Sequence, residues 1–524
     1  MHSFIVPGRG VVPMGLLLFG LLFLPTDSAH ARQDTAGGRT KCLSGVADGY
    51  ACDGVDLLSR LAPADMGAVS GGFQAALNDI WGWTDAETGM EVAIVGRTNG
   101  TSFVDVTDPA NPGYLGNLPL RAGTTASAWR DIKVHADHAY IVADNASGSG
   151  VQIFDLRQLK GLAPGGRTFT ETAVYDGISR SHNVAINEDT GFLYVVGSGG
   201  SNSCGGGLHM VDISEPTNPV FAGCFADPGT GRAGTGYVHD AQCVIYSGPD
   251  SDHTGREICF GLNETHVSIV DVTDKNASIP LARTSYPNVA YVHQGWLSED
   301  QRYFFQGDEL DEQQGITPSR RTLIWDVSDL DDPVLAAEYF APGTSIDHNM
   351  YVVGTRLYQS NYVDGLQVLD ISDPENPVQI GFFDTQAAPG TWTGSWSNYP
   401  FFRSGAIAVS SSHDGLFMVQ ESDRALVTDV AEAAQLPQAI RLASVYPNPF
   451  QDATTIQVDA DRLVHVRIFL IDVSGREVLD IHSGELQPGT QHFRIPSAQL
   501  SGGAYFVRLE GEGVSATESV ILLK

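Results

Sequence analysis

Four histidines recur at equivalent places in the chain and are its strongest candidates for chemistry. A side-chain amide or carboxylate follows each of them. The four are His182, His239, His293 and His348. Imidazole nitrogens and carboxylate oxygens are ligands that bind zinc and similar divalent ions. Together with Asp240, which follows the second histidine, and with Asp308 and Glu309 from a neighbouring loop, the set predicts a divalent metal site.

The same residues also have a purely structural interpretation. Pairs of His and Asx side chains can bridge neighbouring segments by hydrogen bonds and fill a narrow channel. Adjacent side chains in a strand point to opposite faces, so the histidines and the residues after them need not converge. Both interpretations stay open. The chain shows no Gly-x-Ser-x-Gly nucleophile elbow, and an enzyme is the less favoured class.

The histidine segments belong to a repeated unit. A phrase of apolar residues that ends in an aspartate and a proline turn occurs at 103–112, 210–219 and 368–377. Counting looser copies, its aspartates stand 44 to 59 residues apart, at Asp105, Asp155, Asp212, Asp271, Asp326 and Asp370. Each precedes a turn, where we expect the carboxylate to accept backbone N–H bonds rather than to catalyse. Recurrence at this period indicates a solenoid, propeller or array.

Each unit contains four predicted strands, which is the composition of a propeller blade. Seven units can be counted from their entry segments, near residues 78, 130, 182, 239, 293, 348 and 397. The seventh unit lacks the aspartate and the proline turn, so we expect residues near 55 to 72 to supply its outer strand. The predicted fold is all-β, a seven-bladed propeller with the histidines around its central channel.

The N-terminus has the features of a signal peptide at residues 1–31. Arg9 precedes an apolar stretch at 11–24, and Ala29-His30-Ala31 is a pattern that signal peptidase accepts. No later stretch is apolar enough to span a membrane, so we expect no transmembrane segment in the mature chain.

The six cysteines form three pairs that are close in sequence. The pairs are Cys42 with Cys52, Cys204 with Cys224, and Cys243 with Cys259. In an exported protein such pairs are expected to be disulfides. Spacing alone leaves a metal site as the alternative, although no Cys-x-x-Cys motif occurs.

The charge balance excludes one class of partner. The chain has 62 acidic and 30 basic residues and a formal net charge of -32. Because affinity for phosphate backbones depends on clustered Lys and Arg, nucleic acid is not an expected partner. An acidic surface keeps an exported protein in solution and can gather cations.

A second domain follows the repeats. The repeat pattern stops near residue 427, where the composition shifts to Ala, Glu and Gln, and 427–443 is interpreted as a linker. Residues 444–524 contain short alternating strands and predict a small Ig-like β-sandwich. The remaining predicted parts are a disulfide-bearing segment at 32–75 and the propeller at 76–426.

The C-terminal segment resembles the type A sorting domain of the type IX secretion system of Bacteroidetes-like bacteria. The residues that carry this resemblance are a YPNPF start at 446–450, the DVSGR centre at 472–476, and Leu500, Gly503 and Tyr505 near the end. The resemblance implies that residues 444–524 engage the type IX secretion machinery. It also implies passage through the periplasm to the outer-membrane surface or the extracellular space.

The body of the chain, roughly residues 42–420, resembles the choice-of-anchor B family, whose members carry LVIVD-type repeats. The resemblance rests on the repeated aspartate phrases, on Cys42 to Ala47, on the HDAQC sequence at 239–243 and on the GDELDE sequence at 307–312. It implies a fold and a location but no chemistry.

We therefore expect a secreted or cell-surface propeller that acts as a binding or interaction module, with a protein or a glycan as its ligand. The alternative is a metal-dependent hydrolase at the channel mouth, where a bound ion lowers the pKa of a water molecule to about 7. If the histidine ring nitrogens converge on one spot, the hydrolase is favoured. If they point into the interfaces between blades, the hydrolase is excluded.

Overall fold

A computed structural model gives the fold. It describes residues 39–69, 76–199, 204–386, 390–422, 440–446, 450, 453–460, 463–472, 476–487, 489–511 and 514–524. The predicted signal peptide at 1–31 and most of the predicted linker lie outside these residues, as do Pro447 to Pro449 of the YPNPF motif. The described residues contain β-strands and short 3-10 turns but no α-helix.

The repeat region forms seven antiparallel sheets, each with four principal strands among the described residues. Sheet 1 has strands Leu77–Thr84, Glu91–Arg97, Gly100–Asp105 and Gly113–Pro119. Sheet 2 has Arg130–His135, His138–Ala143, Val151–Asp155 and Ala173–Tyr175. Sheet 3 has Asn183–Asn187, Phe192–Val196, Leu208–Asp212 and Val220–Phe225. Sheet 4 has Asp240–Ile245, Glu257–Leu262, Val267–Asp271 and Ile279–Thr284.

The other three sheets follow the same plan. Sheet 5 has Val292–Leu297, Tyr303–Asp308, Arg321–Asp326 and Val334–Phe340. Sheet 6 has Met350–Val353, Arg356–Ser360, Leu366–Asp370 and Val378–Phe383. Sheet 7 has Ser395–Tyr399, Ile407–Ser411, Gly415–Glu421 and, from the N-terminal side of the chain, Val55–Leu61. Short additions at sheet edges are Val46–Ala47 and Tyr50–Asp53 on sheet 6 and Arg167–Thr168 on sheet 1.

The first strands of the seven sheets form a ring. Each first strand contacts the first strand of the next sheet, and the first strand of sheet 7 contacts that of sheet 1. The predicted entry segments therefore coincide with these strands. This arrangement confirms the expectation of an all-β fold of the propeller type, with the entry segments nearest the axis.

Strand Val55–Leu61 completes sheet 7. It pairs antiparallel with Gly415–Glu421, with Val55 opposite Glu421 and Leu61 opposite Leu416. Leu57 is buried beside Phe417 and Val419 in one apolar cluster. The sequence-based expectation that residues near 55 to 72 supply the outer strand is confirmed. N-terminal and C-terminal parts of the ring are thus joined within one sheet.

The repeated aspartates stabilise turns. All six accept a hydrogen bond at 2.9 to 3.0 Å from the backbone N–H two residues later. Such a bond fixes the turn between the third and fourth strands of a sheet. The expected structural role of these residues is confirmed.

The three predicted disulfides are present in the structure. Cys42 is bonded to Cys52, Cys204 to Cys224, and Cys243 to Cys259. The third bridge joins directly opposite residues of the first two strands of sheet 4. Since every one of these thiols is consumed by a bond, none remains as a metal ligand.

The C-terminal residues form two sheets. One contains Ile440–Tyr446, Ala453–Ala460 and Gly489–Pro496, and the other contains Val464–Asp472, Glu477–Leu486, Gly503–Gly511 and Val514–Leu522. A separate apolar cluster includes Phe450, Ile456, Leu470, Val507 and Val520. The predicted small β-sandwich is confirmed.

The 3-10 turns of the described chain include Pro63–Met66, Leu156–Leu159 and Ser497–Gln499.

Among the described residues, no helix has both the length and the apolar character needed to cross a membrane.

Candidate functional site

The four predicted histidines lie side by side around the ring. His182 and His239 directly precede the first strands of sheets 3 and 4, His293 lies in that of sheet 5, and His348 precedes that of sheet 6. Their ring centroids are 4.3 Å apart from His182 to His239, 4.2 Å from His239 to His293, and 4.5 Å from His293 to His348. The repeat thus places four imidazoles in one continuous arc.

Hydrogen bonds fix the tautomers of three of these rings. The Nδ1 of His239 lies 3.1 Å from the carbonyl oxygen of His293, and the Nδ1 of His348 lies 2.5 Å from that of Trp396. Because a carbonyl oxygen only accepts, each Nδ1 carries the proton and Nε2 keeps its lone pair. The Nδ1 of His182 is likewise 3.1 Å from Oδ2 of Asp144. Metal-binding histidines show this pattern of outer partners.

Burial keeps three of the imidazoles neutral. Burial, together with the neighbouring imidazoles, lowers the pKa of His239 and His293 well below the usual value. Burial also lowers the pKa of His348 to about 3. A neutral imidazole is the form that binds a metal ion. Within this group, His293 also has a buried Nδ1 with no hydrogen-bond partner among the described residues.

Glu309 brings a carboxylate to two of the histidines. It directly follows the second strand of sheet 5, and its two oxygens lie 3.7 Å from Nε2 of His293 and 3.7 Å from Nε2 of His348. One ligand atom from each of the three residues lies within 4.8 Å of the others. Two ligands on a tetrahedral zinc ion are about 3.4 Å apart, given bonds of about 2.1 Å. The three side chains therefore fit a divalent ion with small adjustments.

Little of the Glu309 side chain reaches solvent. Burial raises the pKa of its carboxyl to about 8, and the hydroxyl of Tyr362, which donates to Oε1 at 3.4 Å, acts in the opposite direction. A positive charge close to this carboxyl group, such as a bound cation, would favour its ionised form.

Of the other predicted members, His182 and His239 lie in the arc but outside this group, and Asp308 is engaged in other contacts. Asp308 accepts hydrogen bonds from the hydroxyl of Tyr286 and from the backbone N–H groups of Ala290 and Tyr291, at 2.6 to 2.8 Å. These bonds hold the loop that contains Ala290 and Tyr291. They also occupy both carboxylate oxygens of Asp308. Asp308 is therefore not part of the group formed by His293, Glu309 and His348.

Asp240 belongs to a second polar cluster. Burial and the nearby Asp131 raise its pKa to about 7, while the ammonium group of Lys133, which donates to Asp131 at 2.7 Å, lowers it. Asp240 thus lies apart from the histidine that it follows. The alternation of side chains along a strand, which argued against convergence, is the physical reason.

The histidines and Glu309 line a cavity of about 650 Å³. Five aromatic residues complete its walls, namely Trp129, Tyr291, Tyr362, Trp392 and Trp396. Trp129 and Trp392 are each 42% exposed. A cavity of this size with aromatic walls and a few converging polar groups is typical of a ligand-binding site.

Sequence reasoning missed these aromatic residues. Two of them carried a usable signal, because Trp129 and Trp396 directly precede Arg130 and Ser397 in the first strands of sheets 2 and 7. These positions adjoin the ones that the histidines occupy in other sheets. Trp392 lies in a loop and carried no periodic signal.

Comparison with known families matches two parts of the chain. Residues 444–523 match the secretion system C-terminal sorting domain family, and residues 181–227 and 359–385 match the LVIVD repeat family. No curated protein is similar enough to this chain to count as a match.

Solved structures with similarity to the chain come from several bacteria. One is PorZ of Porphyromonas gingivalis, described as an essential bacterial surface component of the type-IX secretion system. It has a TM-score of 0.40 and 13% identity over 87% of this chain and 61% of that one. A Lactobacillus plantarum protein has a TM-score of 0.43 and 13% identity over 80% of this chain and 98% of that one. Hydrazine synthase of Kuenenia stuttgartiensis has a TM-score of 0.44 and 12% identity over 68% of this chain and 99% of that one. At these values the solved structures carry no argument about this chain.

The sorting domain indicates export to the cell surface or the extracellular space, and with it an interaction with the secretion machinery. The protein is thus an exported chain that combines LVIVD repeats with a C-terminal sorting domain of the type IX secretion system.

Proposed function

We propose that this protein is a surface binding module whose ligand, a protein or a glycan, enters the cavity at the histidine arc. The observation that carries the proposal is the cavity of about 650 Å³, in which the imidazoles, Glu309 and the aromatic walls meet. Flat aromatic faces pack against apolar parts of a ligand, and the imidazoles and the carboxylate supply directional hydrogen bonds. The resemblance to the choice-of-anchor B family and a signal peptide at 1–31 agree with a protein of this kind.

The exposed tryptophans give the test. The chain from residue 32 to 524 is applied to glycan and peptide arrays, together with the variant Trp392→Ala. We expect a specific set of ligands whose binding the substitution weakens at least tenfold. The matched control is Phe340→Ala, which removes an aromatic side chain that is 48% exposed on the outer strand of sheet 5. Silence of the wild-type protein on both arrays, or equal binding by Trp392→Ala, counts against the proposal.

A second function is favoured by one specific observation, the grouping of His293, Glu309 and His348 within 4.8 Å. Three protein ligands leave a position on a zinc ion open for water, and the ion lowers the pKa of that water to about 7. The resulting hydroxide can attack an ester or a phosphoester. The site then belongs to a metal-dependent hydrolase rather than to a pure binding module.

Elemental analysis separates the two functions. Protein loaded with zinc and then desalted should retain an ion that His348→Ala and Glu309→Gln lose, while His492→Gln in the sorting domain keeps it. Hydrolysis of nitrophenyl esters and phosphates is then compared between these variants and the wild type. The hydrolase is excluded if the wild type retains no zinc or if turnover is the same in the variants.

A further inference from the structure

Three other acidic residues form a buried cluster. They are Asp311 and Glu312, in the loop after the second strand of sheet 5, and Asp347, in the segment before the first strand of sheet 6. One oxygen from each lies within 4.8 Å of the others. Their exposures are only 0%, 9% and 3%. This cluster shares no residue with the group of His293, Glu309 and His348.

Several of these oxygens have no hydrogen-bond partner among the described residues. Both carboxylate oxygens of Asp347 are buried and receive no donor, and the same is true of Oδ1 of Asp311 and Oε2 of Glu312. Buried polar atoms are normally paired, and an unpaired buried carboxylate is among the least favourable groups in a protein interior. Asp347 therefore points to a ligand that can satisfy it.

The nearby cations do not fill this role. Arg321 donates from Nε to Asp311 at 2.8 Å and from its backbone N–H to Glu312 at 3.0 Å. The guanidinium of Arg320 lies 3.3 Å from Asp364 and donates to the carbonyl oxygen of Pro342. Neither arginine donates to Asp347. The nearby arginines thus leave both carboxylate oxygens of Asp347 without a donor.

The backbone is shaped to admit Asp347. Gly307 lies in strand Tyr303–Asp308, and a Cβ atom at this position would lie 2.2 Å from Oδ2 of Asp347. Any side chain larger than hydrogen at residue 307 would require this carboxylate to shift. The close approach of Asp347 therefore depends on the glycine at residue 307.

We propose that Asp311, Glu312 and Asp347 bind one calcium ion. The three residues offer only carboxylate oxygens, and calcium is the common biological cation that prefers such hard ligands and accepts carboxylates in flexible geometry. The ion would tie the loop after Tyr303–Asp308 to the segment before Met350–Val353. Because Glu309 lies two residues before Asp311 and His348 follows Asp347, this tie would hold two residues of the cavity in place. The site does not depend on what the cavity binds.

Calcium titration of the chain from residue 32 to 524 tests the proposal. Protein freed of metal by a chelator is titrated with calcium chloride alone, and both the bound stoichiometry and the Tm are measured. We expect calcium to raise the Tm of the wild type. In Asp347→Asn, one calcium ion per chain is lost and the rise in Tm is reduced. In the presence of chelator this variant should be at least as stable as the wild type, because it lacks the buried carboxyl group that has no hydrogen-bond partner.

Two further variants make the result decisive. Glu312→Gln removes a second oxygen ligand and should reproduce the effect of Asp347→Asn. Glu215→Gln removes an exposed carboxylate in a turn of sheet 3 and should leave both stoichiometry and Tm unchanged. The proposal is overturned if calcium does not bind the wild type, or if Asp347→Asn and Glu312→Gln bind as much calcium as the wild type. Zinc retention by the His348 site is read separately, so the failure of one site is distinguishable from that of the other.

Discussion

Glu309 and the histidines beside it illustrate how buried polar residues can be held ready for a ligand. His239 and His348 donate Nδ1–H to a backbone carbonyl group, so their Nε2 atoms remain acceptors. The structural and the metal-binding interpretations of these residues are therefore compatible. One nitrogen bridges to a neighbouring segment, and the other is available to a ligand.

The hydroxyl of Tyr362 is the outer partner of Glu309. It donates to Oε1 at 3.4 Å and is itself buried, with 2% exposure. If zinc binds here, Tyr362→Phe should lower zinc affinity by about 10- to 100-fold, as loss of an outer partner usually does. Isothermal titration with zinc chloride measures the change, with Tyr339→Phe on the outer strand of sheet 5 as control. Unchanged zinc affinity in Tyr362→Phe would show that the Tyr362 hydroxyl does not support zinc binding through Glu309.

Parts of this site were accessible from the sequence for a clear reason. The four histidines occupy one place in a repeat, and a repeat puts equivalent residues at equivalent depths. Asp308 and Asp240 were misleading members of the set, because the sequence does not show which carboxylates are already bound to backbone N–H groups or which face of a strand they occupy. Trp392 lies in a loop, where the sequence has no periodic pattern from which the location of a side chain could be predicted.

At the scale of single elements, strand Val55–Leu61 has the largest consequence, because it completes sheet 7. Leu57 is 4% exposed within the apolar cluster of sheets 6 and 7. Leu57→Ala should lower the free energy of unfolding of the ring by about 2 to 5 kcal/mol, through lost burial and the cavity left behind. Urea denaturation followed by tryptophan fluorescence measures this. Leu43→Ala is the control, since Leu43 is 69% exposed. Equal effects of the two substitutions would mean that the strand does not close the ring in solution.

The turn aspartates predict an acid sensitivity. The backbone N–H of Ser214 lowers the pKa of Asp212, and that of Ser372 lowers the pKa of Asp370. Since the folded-state pKa is below the unfolded value of 3.8, their stabilising effect is present above that value and is lost as the pH falls through the folded pKa. The wild type should therefore lose Tm between about pH 5 and about pH 3.

Asparagine at both positions keeps an acceptor in the turn but does not titrate. The variant Asp212→Asn with Asp370→Asn should consequently show a smaller loss of Tm over the same pH interval. Scanning calorimetry at the two pH values measures the difference. If the variant and the wild type showed the same dependence of Tm on pH, the turn aspartates would not be a cause of the acid sensitivity.

These elements were predictable to different degrees. Strand count, turn position and the closing strand followed from the repeated phrase, because apolar alternation and Asp-Pro turns are local signals. The additional strands Val46–Ala47 and Tyr50–Asp53 on sheet 6 were not expected. Val46–Ala47 pairs with Tyr50–Asp53, and Tyr50–Asp53 in turn pairs with residues 382 and 383, more than 300 positions away, a contact that no local pattern indicates.

At the scale of the whole molecule, the sorting domain has an apolar core of its own. The apolar cluster of the C-terminal sandwich is distinct from the clusters of the seven sheets. Deletion of residues 444–524 should leave a folded, disulfide-bonded ring that stays in the periplasm of a host with type IX secretion. Cell fractionation with a disulfide assay measures this. If the truncated chain reached the surface or the medium, the sorting domain would not be the export signal.

The central claim is that ligand enters at the histidine arc, and a blocking label tests it most directly. Because the chain has no free cysteine among its described residues, a cysteine introduced as Trp392→Cys can be coupled selectively to a bulky maleimide. Binding to the best array ligand is then compared before and after coupling, with Phe340→Cys treated in the same way. We expect the label at residue 392 to abolish binding and the label at residue 340 to leave it intact. Undiminished binding with residue 392 labelled would contradict the claim.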